Sequence, residues 1–352
     1  MTAYTFSALP IPGRFGYGTM NLTWNPHPPP TSQSIETLQF VTQNDQFGTK
    51  LLNGGEFYGP DNANLKLFKE FLAANSPEDN EKLVISIKGG FNPATHGPDG
   101  SKEFITKSIE NILLFFPPPG TAGRPKLIFE PARVDLNHPY EQTISYVADY
   151  VQAGKLDGFS LSEVGIGSIQ KALSVGAVLC VELELSLLCQ DILQNGIIDE
   201  LTKHNIPVVA YSPLCRGYLT DHTVQNKDTW LSSIKEGDFR LTIEKFSPEN
   251  YKHNIVLVEN LYHFAHDKKN CSLESLALSW ILAISENPHY QGRKITKILP
   301  IPGGSTPKRI ESNLSSLVKL SDADLKEIDA ICAATPVRGR RYNEAAEALN
   351  FA

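Results

Sequence analysis

The chain has 352 residues, 41% hydrophobic and 20% charged, which suits a packed core and excludes a disordered chain. Its 39 acidic residues outnumber the 32 basic ones by seven, and no Lys/Arg block marks a nucleic-acid footprint. No apolar run approaches the ~20 residues needed to span a bilayer, and five cysteines (Cys180, Cys189, Cys215, Cys271, Cys332) without CxxC spacing argue against a disulfide framework or a zinc site. The start, MTAYTFSALP, lacks a basic stretch followed by an apolar one, so no signal peptide is expected. A soluble cytosolic protein with access to the nucleus is the expectation.

In chain order, eight short apolar runs read as strands: FGYGTM (15–20), GTKLLN (48–53), LVISIK (83–88), KLIFEP (126–131), LDGFSL (156–161), VLCVEL (178–183), IPVVAY (206–211) and ITKILP (295–300). Between them lie stretches with apolar residues three to four apart, the period of a helix with one buried face. These include SIETLQFVTQ, NLKLFKEFLA, EFITKSIENILLFF, YEQTISYVADYVQ and DILQNGIIDELTKH. Strands separated by helices predict a parallel sheet, because parallel neighbours need long crossovers. Eight such units close into a (β/α)8 TIM barrel. An open doubly wound sheet is the alternative, weakened by the absence of a GxGxxG after an early strand. The longest irregular stretch, roughly 212–248, follows the seventh strand, on the side where barrels carry their active sites.

Chemistry gathers at strand ends. Lys88 closes a strand that reads as buried on both faces, where a lysine needs a partner unless it snorkels to solvent. Tyr58 follows the neighbouring strand. An adjacent ammonium lowers a phenol pKa, so the pair suggests a proton relay. Gly303–Thr306 opens a helix with Lys308 and Arg309 in its first turn, an arrangement that suits an anion. An ordinary strand-to-helix turn with a solvated arginine is the alternative. Together these features suggest a phosphate-bearing cofactor.

The motifs GYGTM, GEFYG, AGKLDGFSLSEV, VVAYSPLCRGYLT, SLALSWILA and IPGGSTPKRIESN, in this order, resemble the aldo-keto reductases, NADPH-dependent (β/α)8 enzymes. NGGEFYG and FEPARVD narrow the resemblance to the fungal pyridoxal reductases. The resemblance implies Tyr58 as general acid and Lys88 as the residue that tunes it. It implies a cofactor site built from Gly18, Thr19 and Met20; from Ser162, Glu163 and Glu182 around the nicotinamide amide; and from Tyr211 stacked on the ring. Ser212, Leu214 and Gly217 would lie along the pyrophosphate, and Ser305, Thr306, Arg309 and Asn313 around the 2′-phosphate of NADPH/NADP.

Two departures stand out: Asn53 occupies the family's catalytic Asp position and Ala132 its His position, with Arg133 beside it in the substrate pocket. Strand alternation turns Glu130 the same way as residue 132. Glu130 is therefore a candidate carboxylate partner for Lys88, the alternative being a structural Glu satisfied by backbone or Arg133. Without the His the pocket is larger, which suits an aromatic aldehyde. The implied activity is reduction of pyridoxal to pyridoxine, without a metal, by a monomer. Alternatives are a broad-specificity aldehyde reductase and an NADPH-binding regulatory subunit. One domain, 1–352, is expected, with a hairpin cap over roughly 4–11 and a C-terminal active-site flap, 335–352, over the barrel mouth.

Overall fold

The computed structural model describes Tyr4 and residues 9–314 and 316–352. Eight positions in a parallel sheet run in chain order: β1 (Gly16–Gly18), β2 (Leu51–Gly55), β3 (Val84–Gly89), β4 (Lys126–Pro131), β5 in two pieces (Gly158–Phe159 and Leu161–Ser162), β6 (Val181–Glu184), β7 (Val208–Tyr211) and β8 (Ile298–Pro300). β5 passes from one neighbour to the other at Ser160. The Ser160 amide donates to Phe129 O at 3.0 Å and the Leu161 amide to Cys180 O at 3.1 Å. At the remaining seam β1 lies beside the end of β8, where Gly16 has no room for a side chain against Ile301. The result is a (β/α)8 barrel.

The strands begin and end within a few residues of expectation, except at the amino ends of β2, β6 and β8, where three predicted residues lie outside the ladder. Two expectations fail, both for local reasons. DILQNGIIDELTKH is not one helix: a turn at Asp191–Leu193 is separated from Ile197–Lys203 by Gly196, whose φ of +85° is left-handed. The stretch 212–248 is not structureless. It holds several helical turns of three to five residues, too short to print a hydrophobic period, some capped by Thr220 or Asp238 side chains. The hairpin expected over 4–11 falls largely outside the described residues. Among the described residues, no helix is long and apolar enough to cross a membrane.

The flanking helices form as their spacing dictates. α1 (Thr31–Gln43) buries Ser34, Thr37, Leu38 and Val41, and α2 (Ala63–Ala74) buries Leu65, Phe68 and Leu72. Inside the barrel the period of two sorts residues into layers. Leu51, Val84, Ile128, Cys180, Val209 and Leu299 form an apolar floor, closed from below by Leu9 and Ile11. Two residues further along their strands stand Asn53, Ser86, Glu130 and Glu182, all buried; two further still come Lys88, Ala132 and Glu184. The polar layers face the strand C-terminal rim.

The end of β2 depends on a missing side chain. A methyl at Gly54 would collide with Phe68 and Asn64. Asn64 Oδ1 accepts the Gly55 amide at 3.1 Å, and its Nδ2 donates to Thr19 and Thr23. Gly54→Ala should therefore lower stability by about 2 kcal/mol through overpacking, read as a shift of the urea midpoint at unchanged slope.

Candidate active site

Lys88 is buried, and its ammonium does not snorkel. Register sets it directly opposite Glu130 across β3 and β4. Nζ donates to Asn53 Oδ1 at 3.0 Å and lies 2.6 Å from Glu182 Oε2 and 3.2 Å from Glu130 Oε1. Asn53 Nδ2 donates in turn to Glu182 Oε2. The other oxygen of Glu130 accepts from Ser86 Oγ at 3.0 Å and Ser160 Oγ at 2.7 Å. Burial alone would discharge the ammonium, but Glu130 and Glu182 outweigh it and hold the Lys88 pKa above the usual lysine range.

Tyr58 caps this layer. Its amide donates to Gly55 O at 3.1 Å, its carbonyl accepts from Thr23 Oγ1 at 2.8 Å, and Gly55 has no space for a Cβ beneath the ring. The Lys88 ammonium stands 5.8 Å from the ring centroid. The expected lowering of the phenol pKa is overturned: burial raises it, Glu182 and Glu130 add to the rise, and Lys88 offsets them only in part, leaving it at about 12. Around the phenol stands an aromatic wall the sequence reading missed. Trp24 and Phe57 lie 5.7 and 5.2 Å from Tyr58, and Phe91 lies 4.8 Å from Phe57. Trp24 is half exposed and open to a ligand.

A second buried charge cluster lies on the same rim. Glu184 takes both terminal nitrogens of Arg216 at 3.0 and 3.1 Å. Glu163, at a left-handed φ of +52°, takes both terminal nitrogens of Arg341 at 3.1 and 3.0 Å and the Glu184 amide at 3.0 Å. Burial opposes the charge on Glu163, but Arg341 and Arg133 prevail and hold its carboxyl below the usual range. The C-terminal segment thus crosses the rim. The Phe351 amide donates to Glu163 O at 2.8 Å, the Gly165 amide donates to Ala352 O at 3.0 Å, and the Tyr342 hydroxyl meets that of Tyr211 at 2.8 Å. The Tyr342 ring faces the guanidinium groups of Arg216 and Arg133 at 4.8 and 5.7 Å.

The predicted cofactor residues surround this rim but are not equally available. Glu163 and Glu182 are engaged by Arg341 and by Lys88 with Asn53. Ser162 Oγ has one long contact, 3.5 Å from an Arg133 nitrogen that also donates to Ala132 O at 2.7 Å. Thr19 is spent on holding Asn53 O, at 2.8 Å, between Gly18 and Met20. Tyr211, Ser212, Leu214 and Gly217 are half-buried at the rim, and Ser212, Cys215, Arg216 and Gly217 all have left-handed φ, a concentration of strain typical of ligand loops. The loop of Ser305 and Thr306 is held from behind: Tyr17 donates to Gly304 O and Gln33 Nε2 to Ser305 O at 2.7 Å. There Lys308 and Arg309 are exposed with no ion-pair partner among the described residues, and Asn313 is buried.

Ser86 and Ser160 were legible by parity, each two residues before a singled-out position. Arg341 and Tyr342 were not, because sequence gives no distance between 341 and 163. Asp99, Asp135 and His138 offer ligand atoms within 4.8 Å of one another, a grouping their spacing hides. Their oxygens already accept the Gly100, Ser101 and Asn137 amides, which accounts for the cluster as loop structure.

The model of the Aldo/keto reductase family matches residues 14–333. The chain is 35% identical over 339 residues to "Probable pyridoxal reductase 2" of Schizosaccharomyces pombe, covering 95% of this chain and 96% of that one. It is 36% identical over 348 residues to "Putative pyridoxal reductase" of Saccharomyces cerevisiae, covering 94% and 96%. Among solved structures it resembles a glycerol dehydrogenase from Gluconobacter oxydans (TM-score 0.75, 20% identity, 94% of both chains). It also resembles an aldo-keto reductase from Klebsiella pneumoniae in complex with NADPH (TM-score 0.59, 15% identity, 94% and 93%).

Arg341→Ala would leave Glu163 buried without its cation, a loss of about 3 kcal/mol for a broken buried pair. Hydrogen exchange should show residues 336–352 losing protection by about that amount while the barrel strands keep theirs.

Proposed function

The chain belongs to the Aldo/keto reductase family, and from that premise we propose that it is an NADPH-dependent oxidoreductase that reduces pyridoxal to pyridoxine. The observation that carries this reading is a protonated phenol, Tyr58, beside the buried Lys88 ammonium on the rim where barrels hold their reacting groups. The two yeast relatives support the substrate, and the Klebsiella complex supports the cofactor.

The rim fits such a cofactor. Arg309 and Lys308 suit a 2′-phosphate, and the left-handed residues Ser212, Cys215, Arg216 and Gly217 make backbone of the kind that forms anion-binding nests. Tyr211 offers an aromatic face. Bound there, NADPH supplies the hydride that reduces the carbonyl carbon.

The chain's own part is the proton. With a pKa of about 12, Tyr58 is protonated throughout the neutral range. The oxygen of a reduced carbonyl is a stronger base than a phenolate, so transfer from Tyr58 is downhill, and the Lys88 ammonium stabilises the phenolate left behind. The reverse reaction needs Tyr58 ionised, which that pKa makes scarce at neutral pH. Ala132 leaves the space a histidine would fill, the aromatic wall suits a ring, and Arg133 suits an ionised ring oxygen.

One observation favours a second reading. Tyr342 and Arg341 lie over Tyr211 and Glu163, an arrangement that suits a nucleotide-binding module with little turnover. NADPH oxidation followed with pyridoxal and a panel of neutral aldehydes separates the two. A preference for pyridoxal supports the reductase, uniform activity across the panel a general aldehyde reductase, and binding without turnover the module.

Tyr58→Phe should leave NADPH affinity nearly intact and cut turnover about 10²- to 10⁴-fold, the usual contribution of a general acid. Arg309→Ala should weaken NADPH about ten- to hundredfold, by fluorescence titration, and NADH little, because only NADPH carries the phosphate that the charge-assisted bond holds.

A further inference from the structure

The barrel centre contains one cation too few. Lys88 is flanked by Glu130 and Glu182, all three buried, and the nearest other titratable groups are the phenols of Tyr58 and Tyr140 and the thiol of Cys180. Arg133 acts on Tyr58 from the outer rim, where Glu163 shares it, and neither the two phenols nor the thiol is cationic. Burial and the neighbouring carboxylates push all three above their ordinary values, so they stay neutral and add no charge. With both carboxylates ionised the centre would hold an uncompensated negative charge in a dry interior, an arrangement proteins avoid by taking up a proton.

The hydrogen bonds point the same way. Glu130 Oε2 has two serine donors, but Glu130 Oε1 is buried, accepts no hydrogen bond and lies 3.2 Å from the Lys88 ammonium. The Lys88 ammonium is instead directed to Asn53 and stands closest to Glu182. Glu182 and Glu130 thus converge on the same ammonium, at 2.6 and 3.2 Å. Two carboxylates that share one buried ammonium leave a negative charge without a partner, which a proton removes.

We infer that Glu130 and Glu182 hold one proton between them in the resting protein, and that this buried acid, acting through Lys88 and Asn53, is a positioning element that sets the proton-donating power of Tyr58. With its proton the pair balances Lys88 and adds no net charge below the phenol. Ionised, it adds a negative charge below Tyr58, destabilises the phenolate that proton donation creates, and makes Tyr58 a weaker acid. Burial first and Glu130 second raise the Glu182 carboxyl well above its ordinary range against the pull of Lys88, so the proton is retained into the neutral range and lost as the pH climbs beyond it. Asn53 suits this arrangement better than an aspartate, since a third carboxylate would sit on the same ammonium. The catalytic consequence rests on the reductase reading; the shared proton does not.

Two measurements on the intact protein test the two parts separately. Infrared spectroscopy of the ligand-free protein at neutral pH should show the carbonyl stretch of a buried protonated carboxyl, bleaching as the pH is raised and absent in both Glu182→Gln and Glu130→Gln. No such band in the wild type overturns the shared proton, whatever the enzyme does. In steady-state reduction, the wild-type kcat should fall on the alkaline side. In Glu182→Gln, whose amide cannot ionise, that fall should move upward by about one pH unit or more relative to the variant's own maximum. Alkaline limbs at the same pH in both proteins overturn the link to Tyr58 even if the band is present. A wild type that reduces no aldehyde defeats the reductase reading and leaves the infrared result standing on its own.

Discussion

An ammonium in the centre of a barrel must be paired, and in this protein that requirement organises the middle of the site. Desolvating a lysine costs several kcal/mol unless carboxylates and hydrogen-bond acceptors repay it. Lys88 obtains this from three strands, through Asn53, Glu130 and Glu182, whose side chains share one layer because they share one parity along the sheet. Glu130 is oriented by Ser86 and Ser160 of that layer, and Asn53 is tied to Glu182 and, through its carbonyl, to Thr19. Tyr58 then sits above a charge whose sign is set from below.

That support explains how the site differs from what a lone tyrosine and lysine suggest. A single ammonium beside a phenol lowers its pKa; here burial of the phenol outweighs Lys88, and Glu182 and Glu130 add to the rise. The phenol is kept as an acid. Trp24, Phe57 and Phe91 give it an aromatic wall, and Ala132, in the layer of Lys88, adds only a methyl.

The outer part of the rim is held by a different pair of interactions. Glu163 and Glu184 are buried by Arg341 and Arg216, and the C-terminal segment that brings Arg341 also brings Tyr342 to Tyr211. Left-handed backbone at Glu163, Ser212, Cys215 and Arg216 concentrates strain there, tolerated because bidentate ion pairs and the flap fix the side chains. The barrel centre is held by side chains of its own strands. The outer rim is assembled partly by residues nearly two hundred positions away.

The sequence by itself determined the strand and helix order, the parity that faces Glu130, Glu182 and Lys88 inward, the place of Tyr58 at a strand end and the exposed Lys308–Arg309 pair. All of these depend on spacing within one element or on a motif shared with a family. Periods of 2 and 3.6 survive in the sequence because burial is one-sided. The aromatic wall, the Arg341–Glu163 and Arg216–Glu184 pairs, the break at Gly196 and the direction of the Tyr58 shift were decided only by the tertiary structure. Each depends on distances between segments far apart in the chain, or on the summed field of several buried charges, and neither quantity leaves a periodic trace along one strand.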